Sequence, residues 1–195
     1  FRKDLSGILK NKDLSLLMIL GSIPLIVVGF ILHKTGFINY LRNIEVIAWT
    51  TLLFGILLFF SDKFEIKKNL NNDLNIKNIL IISCFQILAL IPGVSRSGVV
   101  ITAGRFLKFD RYESSKISFY LSIPAIAGAS FLGLKDISSQ NIEINFLVFI
   151  SVFLSFIFSY LTVKYFLIFV KNFSLNTFVF YRIILALILF YIIYF

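Results

Sequence analysis

Apolar residues along this chain come in long runs, and the polar residues gather between them. Residues 16–32 (LLMILGSIPLIVVGFIL), 44–60 (IEVIAWTTLLFGILLFF), 117–134, 146–163 and 177–195 each form such a run. A membrane-crossing helix needs about 17–25 mostly apolar residues, so five spanning helices are predicted. Pro24 and Pro124 fall inside two of the runs. Membrane helices tolerate this where neighbours re-satisfy the freed carbonyls.

The run over 79–109 has a different pattern. An apolar half (79–91) is followed by PGVSRSG at 92–98 and a second apolar half (99–107). Each half is too short to cross alone. Pro92 disfavours helix at the residue before it, and Gly93 and Gly98 permit tight turns. Two half-helices around a broken segment predict a re-entrant hairpin or a discontinuous helix. Such backbone survives at membrane depth only when buried in protein or lining a wet cavity.

The charges between runs separate these options. Lys and Arg number four in 1–15, four in 61–78, four in 105–116 and two in 164–175, against two in 33–43 and one in 135–145. Basic loops stay on the cytoplasmic side. The alternation closes only if 79–109 enters and leaves on that same side, which favours the re-entrant hairpin and an outward C-terminus. Arg96 and Arg182 are then the two basic residues at membrane depth. SIP occurs at both 22–24 and 122–124, but three residues running the same way through the membrane do not make a repeat.

Composition agrees. Of 195 residues, 58% are hydrophobic and 15% charged, with 24 Phe. Soluble domains carry about 25% charged residues, so the chain reads as an all-α integral membrane protein. The net charge of +9 lies in short inter-run clusters, which argues for membrane orientation rather than nucleic-acid binding. One cysteine, Cys84, excludes an internal disulfide. One histidine, His33, excludes a His–His metal pair and sits at an expected interface. The start at Phe1, followed by RKDLSGILKNKD, reads as the middle of a longer protein.

Arg96 carries the candidate chemistry. An arginine at membrane depth costs about 2.5–3.5 kcal/mol on insertion scales, and all ten Asp and Glu residues lie in loops or at span edges. Its partner is therefore a ligand or a further part of the protein. Ser95 and Ser97 offer hydroxyls. Gly93 and Gly98 allow close backbone approach. The second half-helix would present its N-terminus, which favours an anion. The arginine fork matches phosphate oxygens. A phosphate cradle within the membrane points to a lipid phosphate. The bland alternative is a kinked loop with a snorkelling arginine. Arg182 either approaches this site or pairs with a carbonyl. Gln86 either faces the site or cross-links helices.

The stretches FQILALIPGVSRSGVVITAGRF and SFYLSIPAIAGA, with PGxSRSG complete at 92–98, resemble the second signature of the bacterial undecaprenyl-pyrophosphate phosphatase family of the bacitracin-resistance type. The closing YRIILALILFYIIYF resembles that family's last helix. The resemblance implies a multi-pass enzyme of the bacterial inner membrane that removes one phosphate from a C55 polyprenyl diphosphate, recycling the cell-wall carrier lipid. It implies an inverted-repeat fold. Residues 1–78 would hold the last two transmembrane helices of the first repeat and a cytoplasmic loop. Residues 79–195 would hold the second repeat, namely the hairpin 79–109 and three transmembrane helices.

Carried over by position, Arg96, Ser95 and Ser97 are the catalytic residues. Gly93, Val94, Gly98, Thr102, Gln86 and Arg182 contact the phosphate or substrate. The family's first, glutamate-containing signature has no copy here and is expected upstream of residue 1. Its acids would serve a divalent cation, Mg²⁺ or Ca²⁺, so no metal ligand is expected within this chain. Val99 and Val100 stand where relatives often carry a small residue and a Thr; Thr102 offers a nearby hydroxyl. The partners implied are the polyprenyl diphosphate, membrane lipids and a second copy in a homodimer, with no nucleic acid. Another membrane phosphatase class places His six residues after an Arg of Ser-Arg; that position here is Thr102. A transporter or flippase of a phosphorylated polyprenyl lipid is the alternative, since broken helices and inverted repeats also build transporters.

Overall fold

The computed structural model describes residues 12–139 and 146–195. Apart from one isolated bridge, all regular structure among them is helical: α1 (Lys12–Thr35), α2 (Phe37–Leu41), α3 (Ile44–Asp62), α4 (Leu70–Asp73), α5 (Ile76–Ile87) with a 3₁₀ turn (Leu88–Leu90), α6 (Arg96–Phe106), α7 (Arg111–Ser139), α8 (Phe146–Asn172) and α9 (Asn176–Tyr194). Helices α1, α3, α8 and α9 are long and apolar enough to cross a membrane. Helix α7 contains the predicted run 117–134 and has 29 residues, about 44 Å at 1.5 Å per residue. It is the more polar of the long helices because it is an inner one. Ser114, Ser115 and Ser118 are buried, beside Ile117 and Leu121.

Local chemistry sets the ends. Asn43 caps α3 by accepting from Glu45 N at 3.1 Å, and Asn75 caps α5 by accepting from Asn78 N at 2.9 Å. Such caps stabilise by about 1 kcal/mol each. Both prolines lie inside helices, as expected. In the turn before Pro124 the carbonyls of Leu121 and Ser122 accept side-chain bonds from Ser22 (3.4 Å) and Arg96 (3.4 Å). Neighbouring elements thus serve backbone near the break, as membrane-buried prolines require.

The 79–109 run folds back on itself. Lys68 N donates to Lys108 O at 3.1 Å, and Lys68 Nζ reaches Asn78 Oδ1 at 3.3 Å. The start of α5 and the end of α6 therefore meet at one place, and the two half-helices form a hairpin. Phe85 and Phe106 touch across it, ring centroids 6.3 Å apart. The hairpin is wrapped by α1 and α7. Ile79, Ile82, Val99, Val100, Ile117 and Leu121 form a core that excludes solvent.

The same end of the molecule collects the basic segments. Asp62, at the end of α3, accepts from Arg111 at the start of α7, through Nε at 2.6 Å and Nη2 at 2.9 Å. It also accepts from Leu175 N, between α8 and α9, at 3.4 Å. Arg105, 2% exposed at the end of α6, lies 3.6 Å from Asp62 and donates to the carbonyls of Asp62 (3.0 Å) and Phe109 (2.7 Å). The segments 61–78, 105–116 and 164–175 thus share one end, as the charge pattern requires. The opposite end holds the start of α3 and the end of α9, joined by Tyr194 Oη and Glu45 Oε1 at 3.4 Å.

Candidate functional site

The hairpin tip is built by Pro92, Gly93 and Ser95. Gly93 has φ +87°, where side chains other than glycine are strained. A Cβ there would also lie 2.7 Å from the Ile47 carbonyl. The tip is strapped onto α3, where Thr50 Oγ1 donates to Pro92 O at 2.7 Å and Thr51 Oγ1 to Gly93 O at 3.4 Å. Neither threonine stood out in the sequence; their only signal was a hydroxyl pair inside an apolar span.

Ser95 is the N-cap of α6, in extended conformation (φ −65°, ψ 125°), with Oγ accepting from Gly98 N at 3.2 Å. Its hydroxyl lies 3.2 Å from that of Ser97, and its carbonyl accepts from Val99 N at 2.9 Å. The first-turn N–H groups ahead of these, on Arg96 and Ser97, are those a helix start offers to an anion.

Beside this helix start is a cavity of about 70 Å³ lined by Ser95, Ser97, Gly98 and Arg182, closed by Leu58, Ile101, Leu175 and two phenylalanines. Arg182 is 9% exposed. Among the described residues its guanidinium has no hydrogen-bond or ion-pair partner. Small residues make room for it. A methyl group at Gly98 would come within 3.3 Å of Arg182 Nη2, and one at Gly55 within 3.2 Å of Arg182 Cβ. Gly55 was not singled out from the sequence; a glycine in mid-span was its only signal. Of the two readings of Arg182, the structure places it at the α6 start and not on a carbonyl.

Arg96 begins α6 but sends its side chain the other way, to Ser122 O of α7 at 3.4 Å. The two arginines thus flank the helix start from opposite sides, and Arg96 does not line the cavity. The remaining expected contacts are placed elsewhere. Val94 packs into the hydrophobic core. Thr102 is buried and donates back to Gly98 O at 2.8 Å, so its hydroxyl is occupied within the helix. Gln86 is fully buried away from the cavity, and neither its Oε1 nor its Nε2 has a hydrogen-bond partner. It does not cross-link helices here.

The donor set at the cavity is two hydroxyls, a helix start and a guanidinium. That set fits an anion. It does not fit a hard divalent cation, which takes oxygen ligands and carboxylates. Among the described residues no cluster of three or more His, Cys, Asp or Glu is present.

Comparison with known proteins agrees with the signature read from 92–98. The chain is 55% identical over all 195 residues to an undecaprenyl-diphosphatase of Pelagibacter ubique, covering 76% of that protein. It is 44% identical over 173 residues to the undecaprenyl-diphosphatase of Elusimicrobium minutum, covering 89% of this chain and 65% of that one. It is 35% identical over 182 residues to the one from a Jannaschia species, covering 93% and 68%. The family model described as "Bacitracin resistance protein BacA" matches residues 2–188, and the chain belongs to that family.

Proposed function

We infer that this protein is an integral membrane phosphatase that hydrolyses undecaprenyl diphosphate to undecaprenyl phosphate and inorganic phosphate. The observation that carries this reading is the unpartnered Arg182 facing Ser95, Ser97 and the start of α6 in one cavity, in a chain whose full-length match is a diphosphatase. The lipid-transporter reading gains nothing from these relatives, which bear the phosphatase name.

Phosphoryl transfer relies mainly on positioning and electrostatics. In this reading Arg182 and the Ser95 and Ser97 hydroxyls hold phosphoryl oxygens in the cavity. The α6 N-terminus adds its N–H groups and partial positive charge. Arg96, on the α7 side of the same helix start, swings from its long Ser122 bond to the diphosphate and stabilises charge developing on the transferred group. Gly93 and the Thr50 strap hold the tip still. A divalent cation, with ligands upstream of Phe1, is part of the proposal, as is a homodimer in the bacterial inner membrane.

The test is phosphate release from undecaprenyl diphosphate by protein expressed from its whole reading frame, in detergent, with Mg²⁺ or Ca²⁺ and then chelator. Release that chelator abolishes is expected. Folded protein that binds the lipid but releases no phosphate overturns the reading.

A further inference from the structure

The cavity at the α6 start does not end at its polar wall. Two of its lining residues, Phe166 and Phe178, also line an open apolar groove of about 640 Å³ along α8 and the turn into α9. Leu161, Tyr165, Phe169 and Phe173 continue that groove, and no charged residue lines it. Phe166 and Phe178 touch, ring centroids 5.3 Å apart, and form the wall that the two compartments share.

The outer compartment is open. Tyr165 is 61% exposed, and none of the most apolar stretch of α8 is buried inside the protein. A helix this apolar, within a membrane protein, meets lipid on that face. The adjacent compartments therefore present one cationic, hydroxyl-lined side and one apolar side open to the bilayer. This complementarity fits a single amphiphile with an anionic head and a long hydrocarbon chain, and it continues from a cavity argued independently to take phosphate.

We propose that the groove along α8 seats the head-proximal isoprene units of the polyprenyl diphosphate, with Phe166 and Phe178 parting to let the head into the cavity. The proposal rests on the reading of the cavity given above. From Phe158 to Phe173 the groove follows α8 for about 22 Å at 1.5 Å per residue. It is thus shorter than a C55 chain, whose remainder stays in the bilayer. Substrate enters laterally, without passing through water.

The test is photo-cross-linking with a C15 prenyl diphosphate carrying a benzophenone on its chain, with the labelled peptides mapped by mass spectrometry. Phosphate release from undecaprenyl diphosphate is measured on the same preparation. Labelling within 158–178, lost on adding excess unlabelled polyprenyl diphosphate, is expected. Tyr165 lines the groove and not the cavity, and Tyr165→Ala should cut that labelling about tenfold, the loss of one aromatic anchor. It should leave the thermal shift given by inorganic pyrophosphate, the head alone, unchanged.

Labelling elsewhere, labelling that competitor does not reduce, or none at all overturns the groove assignment. A second copy covering α8 would give that last result, together with cross-links between copies. If Tyr165→Ala also abolishes the pyrophosphate shift, the residue supports the cavity and the tail assignment fails. Competed labelling within 158–178 without any phosphate release leaves the groove standing and removes the phosphatase reading instead.

Discussion

Two groups of arginines in this molecule are treated in opposite ways. At the end that gathers the basic segments, Arg105 and Arg111 are consumed. Arg111 makes a two-pronged pair with Asp62, and Arg105 lies against the same carboxylate and caps carbonyls of two chain turns. At the hairpin tip, Arg182 has no partner among the described residues, and Arg96 has a single bond of 3.4 Å to a carbonyl. Leaving a buried cation unpaired costs several kcal/mol, so a fold that pairs its other arginines this well would not keep Arg182 bare without a use. The first group closes the structure; the second awaits an anion.

The sharpest way to break this contrast is to remove each group and read activity and stability separately. Arg96→Ala and Arg182→Ala should each lower kcat for phosphate release by about 10²–10³-fold, the loss seen when one preorganised donor to a developing oxyanion is deleted. Their melting temperatures should stay near that of the wild type. Asp62→Ala should do the reverse. It leaves the buried Arg105 and the partly exposed Arg111 without their carboxylate and should cost about 3 kcal/mol of stability, read as a lower melting temperature in detergent. Phosphate release per folded molecule should be retained.

A smaller effect separates two roles of one side chain. Ser95→Ala loses the α6 cap and should cost about 1 kcal/mol, with a modest fall in activity. Ser95→Asp restores a capping oxygen but sets a negative charge where the phosphate would lie. It should melt like the wild type while losing more activity than Ser95→Ala. Equal activities in the two variants would mean that Ser95 serves the helix alone.

The smallest effect belongs to Glu113, at the start of α7 beside the paired cluster. Burial pushes its carboxyl above the ordinary value of 4.5, a backbone bond from Leu70 partly opposes this, and the charge of Asp110 adds to it. An acid whose folded pKa is raised favours folding in its protonated form. That contribution is present below pH 4.5 and is lost as pH rises through the raised value. Glu113→Gln should therefore raise the melting temperature slightly at neutral pH and flatten its dependence on pH just above 4.5. A steeper dependence in the variant would contradict the assignment.

The contrast also shows what could be read in advance. Periodicity and length reveal the long helices, and the Pro92–Gly93 break with Gly98 reveals two half-helices, because these are local properties of backbone and hydropathy; the charges between runs choose the hairpin. The sharing of one end by 61–78, 105–116 and 164–175 follows from their charge. Ser95 reads in sequence only as a hydroxyl donor; its capping of α6 appears in the structure. Asp62 looked like one more span-edge acid, since its partners lie 43, 49 and 113 residues away and no local pattern links them. Gly55 and Thr50 were silent for the same reason; each matters only through what packs against it. Arg182 could be marked as unusual, but only the packing of α9 on α3 brings it to Ser95. Thr102 shows the converse. Its hydroxyl looked available in sequence, yet the helix it belongs to uses it at Gly98 O.

The central claim, that Arg96 and Arg182 beside the hairpin tip form an anion site, is tested most directly by binding without turnover. The measurement is the thermal shift produced by a non-hydrolysable methylene-diphosphonate analogue of a prenyl diphosphate, on wild type, on Arg96→Ala/Arg182→Ala and on Asp62→Asn. A shift in wild type and in Asp62→Asn, absent from the double arginine variant, is the predicted result. An equal shift in all three would show that the diphosphate binds elsewhere and would contradict the account.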